Sequence, residues 1–217
     1  MQRLLLSLCC LLLTIQLMAK PLSDVRWQAK PGTVALTFDD GPNPTYTPQI
    51  LRILKENHVK ATFFVMGWAA KKYPQLIRDI VADGNAVASH TWSHPKLTKI
   101  SESQLYKEVV RPKEAIKAAI GKDPVCLRPP FGMGNKRVGN FIRQHGMIMV
   151  PMGFNSFDYT RPGYKKIASQ VINHARSGQV FLLHDGPKRR EQTVEALPLI
   201  IKGIRAKGLG FSAICYP

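Results

Sequence analysis

Acidic residues are scarce in this chain: 14 Asp and Glu stand against 31 Lys and Arg in 217 residues, a formal net charge of +17. An excess of that size points to polyanionic surroundings, either envelope polymers or an acidic glycan. No nucleic-acid motif accompanies it, which argues against nucleic acid as the partner. No Gly-rich loop follows any apolar run, so a nucleotide phosphate cradle is not indicated. Linkers, internal repeats, low-complexity segments and breaks in composition are all lacking. Cysteine is rarer still, at 4 residues, of which Cys9 and Cys10 lie in the N-terminal apolar stretch. The other two, Cys126 and Cys215, are too few for a disulfide framework. Both sit in apolar, strand-like runs, so buried free thiols are the reading favoured, with a single bridge as the alternative in an oxidising compartment.

The chain carries an N-terminal apolar stretch of its own. Residues 1–19 have the form of a secretory signal peptide, with Arg3 as the basic start, an apolar run over residues 4–17, and Ala19 at the expected cleavage point. The run is short for a membrane span, and an uncleaved anchor is the alternative. Cleavage there removes one Arg and no acid, leaving a net charge of +16. The expected location is outside the cytoplasm: periplasmic, associated with the envelope, or secreted. Residues 20–32 then read as a lead-in and residues 33–217 as one domain, for which 45% hydrophobic content is ordinary.

Within that domain, apolar runs alternate with amphipathic stretches. Strands are predicted at residues 33–38, 61–66, 86–89, 125–127, 147–152, 180–183 and 211–215. Helices are predicted at residues 46–57, 74–83, 101–120, 135–145, 167–175 and 191–206. Ser101 and Gln104 form a capping box, Pro112 predicts a kink, Gly121 stops that helix, and Asn135 caps the next. Continuous rather than alternating apolar strands imply a parallel sheet covered by helices. Seven such alternations favour barrel-like closure over two domains, with an open doubly wound sheet as the structural alternative.

Polar residues then collect at the ends of the strands. Asp39 and Asp40 follow the first, His90 and His94 the third, Arg128 the fourth, Asp158 the fifth, and His184 with Asp185 the sixth. In a parallel barrel these C-terminal ends share one face. Adjacent carboxylates at a strand end need a cation nearby; a plain Asp-Gly turn with one acid as a helix cap is the simpler alternative. His90 and His94, four apart, can aim two imidazoles at one ion. With one of the aspartates they make three ligands and leave a position open for water, as a catalytic zinc site requires. The second aspartate can take a proton from the attacking water, and spacing leaves open which acid does which. His184 is placed to protonate a leaving group, with a neighbouring carboxylate raising its pKa. Lys188, Arg189 and Arg190 read as a basic rim or as an ordinary exposed charge run.

Five segments together, residues 37–42, the pair His90 and His94, residues 128–132, residues 155–159 and residues 182–185, resemble in order the five motifs of the polysaccharide deacetylase family, carbohydrate esterase family 4, or NodB-homology domain. The resemblance spans residues 33–215 and implies a single-domain, distorted (β/α) barrel of seven or eight strands. It implies that Asp39 is the general base, and that Asp40, His90 and His94 hold one divalent metal ion, commonly zinc, with cobalt, nickel or manganese as alternatives. His184 would be the general acid, Arg128 would orient Asp39, and Asp158 would tune His184. The backbone N–H of Phe131 would stabilise charge on the acetyl oxygen, and Tyr159 and Leu182 would line the methyl pocket. Phe131 stands where the family often has Tyr, and Asn155 and Tyr159 where it often has Asp and Trp, departures that bear on substrate preference. The implied reaction is removal of N-acetyl groups from N-acetylglucosamine-containing glycans of chitooligosaccharide or peptidoglycan type. O-deacetylation of xylan or another glycan, and a non-catalytic glycan-binding module, are the alternatives. A metal-dependent phosphoesterase would need further ligands or a phosphate cradle, and the sequence offers neither. Oligomeric state is not legible.

Overall fold

A computed structural model describes residue 22 and residues 25–216; the expected signal peptide lies outside them. The centre of the sheet is β1 (Thr33–Asp39), flanked by β2 (Thr62–Val65) and, on its other side, by a strand near the C-terminus, Val180–His184. Beyond β2 come β3 (Ala86–Ser89), β4 (Cys126–Leu127) and β5 (Ile148–Met149). β6 (Phe154–Asn155) borders Val180–His184, which is β7 in chain order, and β8 (Gly210–Phe211) pairs with the first residues of β1. All these pairings are parallel, and the path β5-β4-β3-β2-β1-β7-β6 curls into a half-barrel. This is the single-domain, distorted (β/α) barrel expected from the sequence.

Helices cover the outside: α1 (Thr47–Glu56), α2 (Gly67–Lys72), α3 (Pro74–Ala82), α4 (Glu102–Ile120), α5 (Lys136–Gln144), α6 (Tyr164–Asn173) and α7 (Glu191–Ala206). Among the described residues, no helix is long and apolar enough to cross a membrane. The capping box of Ser101 and Gln104 and the left-handed Gly121 bound α4 as the sequence indicates, and Asn135 caps α5. Pro112, expected to kink α4, sits within one uninterrupted helix, and α7 likewise absorbs Pro198. α2 has no counterpart in the sequence reading, because six residues abutting the Pro74 start of α3 are too short to show a helical period.

The predicted strand over residues 147–152 is also corrected. Only Ile148–Met149 pairs as a strand, with Val150 adding one further bond to Leu127. Pro151 has no donor to continue the ladder, and Gly153, at φ +74, turns the chain. The next two residues become β6 and pair with β7 on the far edge, which gives eight strands rather than seven. The last predicted strand, residues 211–215, pairs only over Gly210–Phe211.

The alternation of side chains along β1 divides the interior into two layers. Val34, Leu36 and Phe38 face the helices and pack with Ile50, Leu54, Phe63, Phe181 and Ile200. Burial of each such side chain stabilises the fold by about 1.5–3 kcal/mol. Ala35 faces into the barrel with Phe64, Ala88, Cys126 and Val180. Continuing that inward row by twos leads from Ala35 through Thr37 to Asp39, from Ala88 to His90, from Cys126 to Arg128, and from Val180 through Leu182 to His184. The barrel interior is therefore apolar at one end and chemically armed at the other.

Cys126 and Cys215 are not free thiols but a disulfide, with 5.8 Å between their Cα atoms. The chain beyond β8 is steered there by Ser212 N–H donating to Val34 O and by Thr62 Oγ1, which exchanges bonds with both the N–H and the carbonyl of Ile214. Those polar tethers, at positions with no periodic pattern, bring the last residues under the barrel. The bond closes a loop of 89 residues, so breaking it should cost about 2–4 kcal/mol, on the order of 10 °C in Tm for a domain of this size. Thermal denaturation with and without reductant, alongside a Cys126→Ser, Cys215→Ser double variant, measures it. A Tm indifferent to both treatments would contradict the bond.

Candidate active site

The parallel register sets Asp39 directly beside His184 on neighbouring strand ends. Both line a cleft of about 710 Å³ at the C-terminal mouth of the barrel, together with Asp40, His90, His94 and Tyr159. Asp39 is 2% exposed, and its Oδ1 accepts a 2.7 Å bond from Arg128 Nη1. Arg128 is fully buried. It also donates to Thr37 Oγ1 and to Pro151 O, while its guanidinium lies 3.8 Å from the centre of the Phe64 ring. Burial raises the Asp39 pKa above the ordinary carboxylate value, and Arg128 and the nearby histidines only partly offset it. Burial likewise lowers the Arg128 pKa, with Asp39 opposing.

Asp40 turns away from the strand in a left-handed conformation, φ 73. The turn is held by close backbone packing: a Cβ on Gly186 would overlap the Asp40 carbonyl, and one on Gly41 would overlap the Asp185 carboxylate. Asp40 Oδ1 lies 3.5 Å from His90 Nε2 and 3.4 Å from His94 Nε2. Ligand atoms of the three residues fall within 4.8 Å of one another. His90 Nδ1 is 2.8 Å from the Arg128 carbonyl, an acceptor that keeps the proton on Nδ1 and the Nε2 lone pair turned toward Asp40. Burial lowers the His90 pKa to about 3, so the ring is the neutral imidazole that a ligand must be. Asp40 Oδ1 is buried and accepts no hydrogen bond. A buried carboxylate oxygen with no donor and two imidazole nitrogens beside it is a set that fits a divalent cation.

On the other side of the cleft, His184 Nδ1 lies 2.7 Å from Asp158 Oδ1, and the His184 backbone N–H and Thr193 Oγ1 both donate to Asp158 Oδ2. Burial works against the imidazolium, but the bond and charge of Asp158 outweigh it and raise the His184 pKa. Burial would correspondingly raise Asp158, but its bonds to His184 and Thr193 leave it below the usual carboxylate range. Tyr159 meets the His184 ring edge to face at 5.5 Å, and Leu182 lies on the cleft wall. Phe131, left-handed at φ 59, contributes its side chain as well as its backbone, packing against the His94 ring at 4.6 Å.

All residues singled out for chemistry in the sequence therefore converge on one cleft or on its immediate support. The basic run after them divides instead. Arg189 pairs with Glu191, and only Lys188 lies exposed on the cleft wall. Arg190, expected at the rim, is 3% exposed; its Nε donates to Gly186 O and its Nη2 stands 3.9 Å from Asp40 Oδ2. Asp185, noted in the sequence at the end of the sixth strand but given no role there, belongs to the support of the site. Asp185 is wholly buried and accepts from Thr47 Oγ1; burial, with the charges of Asp40 and Asp39, pushes its pKa up to about 7. Thr193 and Glu108 have no part in the sequence reading. For Glu108 a signal existed, since an acid at a core-facing position of an amphipathic helix is out of place unless it has partners.

A family model described as polysaccharide deacetylase matches residues 27–150. A peptidoglycan-N-acetylglucosamine deacetylase of Bacillus cereus is 32% identical over 199 residues, covering 90% of this chain and 93% of that one. A chitooligosaccharide deacetylase of Sinorhizobium fredii is 37% identical over 204 residues, covering 87% and 95%. Among solved structures, a peptidoglycan N-acetylglucosamine deacetylase in complex with a naphthyl N-hydroxybenzamide superimposes with a TM-score of 0.82 at 30% identity, over 86% of this chain and 89% of that one.

The His184–Asp158 pair has a defined pH window. Because the folded pKa of His184 is raised above 6.5, the stability it contributes is full below about pH 6.5 and is lost as pH rises through the folded value. At the acid end, the depressed pKa of Asp158 means the same contribution is lost as pH falls through that lower value. Chemical denaturation of the metal-free protein should therefore show Asp158→Asn costing more stability near about pH 5.5 than near about pH 9. Nuclear magnetic resonance should show the His184 titration moving down in the variant. Equal losses at both pH values would contradict a charged pair.

Proposed function

The chain belongs to the polysaccharide deacetylase family, and on that premise we propose that it is an exported, metal-dependent enzyme that removes N-acetyl groups from N-acetylglucosamine-containing glycans. The observation that carries this reading is the register pairing of Asp39 with His184 on neighbouring strand ends, in a cleft that Asp40, His90 and His94 also line. A divalent cation on those three residues, zinc by the preference of a two-imidazole, one-carboxylate set, would supply Lewis acidity to the acetyl carbonyl and the attacking water. Asp39 takes the proton of that water on Oδ2, since Oδ1 is engaged by Arg128. His184 delivers a proton from Nε2 to the departing amine nitrogen, its Nδ1 being held by Asp158. The Phe131 backbone N–H faces the charge that develops on the acetyl oxygen, while Tyr159 and Leu182 enclose the methyl group. The two proton carriers need opposite states, Asp39 ionised and His184 charged, so activity should rise and fall with pH as a bell.

The relatives' names support N-acetylglucosamine polymers as the substrate class. The strong positive charge, with exposed Lys188 on the cleft wall and Lys96 set 5.7 Å from the Phe131 ring centre, favours an anionic wall polymer such as peptidoglycan over neutral chitin oligomers. Export is supported by the signal-like residues 1–19 and by a disulfide suited to an oxidising compartment.

The test is a mass-spectrometric assay of residues 20–217 on chitin oligomers, peptidoglycan and acetylated xylan, with and without chelator. Acetate and free amine should appear from the N-acetylglucosamine substrates only while metal is present. Release from acetylated xylan alone would overturn the reading in favour of an esterase. Asp39→Asn should lower turnover by roughly 10²–10⁴-fold and keep the metal, whereas His94→Ala should lose both; near-normal turnover in Asp39→Asn would remove the base assignment.

A further inference from the structure

We infer that Glu108, on α4, is a positioning residue that sets the affinity of the His90–His94 loop for its metal; the inference rests on the metal site proposed above. The two histidines are anchored unequally. His90 extends directly from β3, is 3% exposed, and is fixed through Nδ1 to the Arg128 carbonyl. His94 lies four residues further along a loop, with a side chain 30% exposed, and takes its place from the shape of that loop. The shape is unusual: Thr91 and His94 both adopt left-handed conformations, φ 70 and φ 67, and a β-branched residue such as Thr91 rarely occupies one without support.

Glu108 gives that support from outside the motif. Its Oε2 accepts the backbone N–H groups of Trp92 and Ser93 at 2.9 and 2.8 Å, and its Oε1 accepts Ser93 Oγ at 2.7 Å. Three donors on one largely buried carboxylate fix the middle of the loop from the side facing α4. The same face of α4 contributes two more contacts. The Arg111 guanidinium stacks 3.9 Å from the Trp92 ring centre. Pro112 packs so closely on Gly67 that a Cβ there would come within 2.6 Å of it. Gly67 in turn donates its N–H to the Thr91 carbonyl. Residues 108, 111 and 112, spaced i, i+3 and i+4, form one clamp over the loop. Among the described residues, Glu108 is the member of this clamp that accepts backbone N–H groups between the histidines, those of Trp92 and Ser93, so it is the member that sets the distance and angle between the two Nε2 atoms. Gln has the same size and can keep its oxygen on the two backbone N–H groups while its N–H₂ donates to Ser93 Oγ, but it removes the charge that makes these bonds roughly twice as strong as neutral ones.

The measurement is zinc affinity of metal-free protein by titration calorimetry or chelator competition, on wild type, Glu108→Gln and Glu108→Asp, with kcat at limiting and saturating zinc. Wild type should take up one ion, and Glu108→Gln should bind it roughly 10–100-fold more weakly, with kcat recovering at saturating zinc. Glu108→Asp, too short to reach all three donors, should weaken binding in the same sense and stands in where the Gln variant does not fold. Unchanged affinity in the variants, or a kcat that stays depressed at saturating zinc, would overturn the inference. Failure of wild-type protein to bind one ion would instead overturn the metal reading on which it rests.

Discussion

The buried ion pair between Arg128 and Asp39 is the constraint from which the rest of the site follows. Both groups are out of water, and a buried charge deprived of its partner typically costs about 3–5 kcal/mol. Neither can therefore be moved or replaced alone. The pair ties β1 to β4 across two intervening strands, and Arg128 extends the tie to Pro151 at the open seam between β5 and β6. Its side chain rests on the Phe64 face and its carbonyl accepts the Nδ1 proton of His90. One residue thus partly offsets the burial of the Asp39 carboxylate, fixes the tautomer of His90, and bonds to the chain at the seam that strand pairing leaves open.

Two carboxylate–cation pairs in the same cleft are biased in opposite directions by their surroundings. Around Asp39, desolvation prevails over Arg128, and the acid is held nearer the range in which it can accept and release a proton. Around His184, the bond to Asp158 prevails over desolvation, and the imidazole pKa is raised. The difference has a structural cause. Asp158 receives the His184 backbone N–H and the Thr193 hydroxyl besides the imidazole, so its charge is well satisfied, whereas Asp39 takes its shortest bond from a single guanidinium. The two carboxylates at one barrel mouth are thus shifted in opposite directions by the number of donors each receives.

Much of this was legible in the sequence because inward-facing strand residues keep a period of two. The alternation that buries Ala35 and Val180 also delivers Asp39 and His184, so runs of apolar residues ending in acids, imidazoles or a guanidinium announced the site. What stayed illegible depends on contacts without a period. β6 is two residues long and was hidden by the apolar run that Pro151 and Gly153 interrupt. The disulfide depends on polar tethers at Thr62 and Ser212. Arg190 looks like one member of a basic run, yet the turn at Gly186 draws it beneath Asp40. Which aspartate binds and which acts as base was undecided by spacing. Geometry favours Asp40 as ligand, because Asp39 spends its Oδ1 on Arg128 while Asp40 Oδ1 has no donor.

The charge balance of the cleft makes that last point stronger. Asp39, Asp40, Asp158 and Asp185 lie at one end of the barrel. Arg128 answers Asp39, and His184 answers Asp158. Arg190 stands 3.9 Å from Asp40 Oδ2, and the other oxygen of Asp40 has no donor at all. Asp185, crowded by these neighbours, is pushed up to about 7 and so sheds much of its charge near neutrality. The deficit of positive charge is therefore localised at Asp40 Oδ1, between the Nε2 atoms of His90 and His94. The large excess of surface Lys and Arg does not relieve it, since exposed charges are screened within about 8–10 Å at ordinary ionic strength. A small divalent cation at that point would satisfy the orphaned oxygen and both nitrogens together. Such an ion would let the chain place two acids side by side at the end of its central strand.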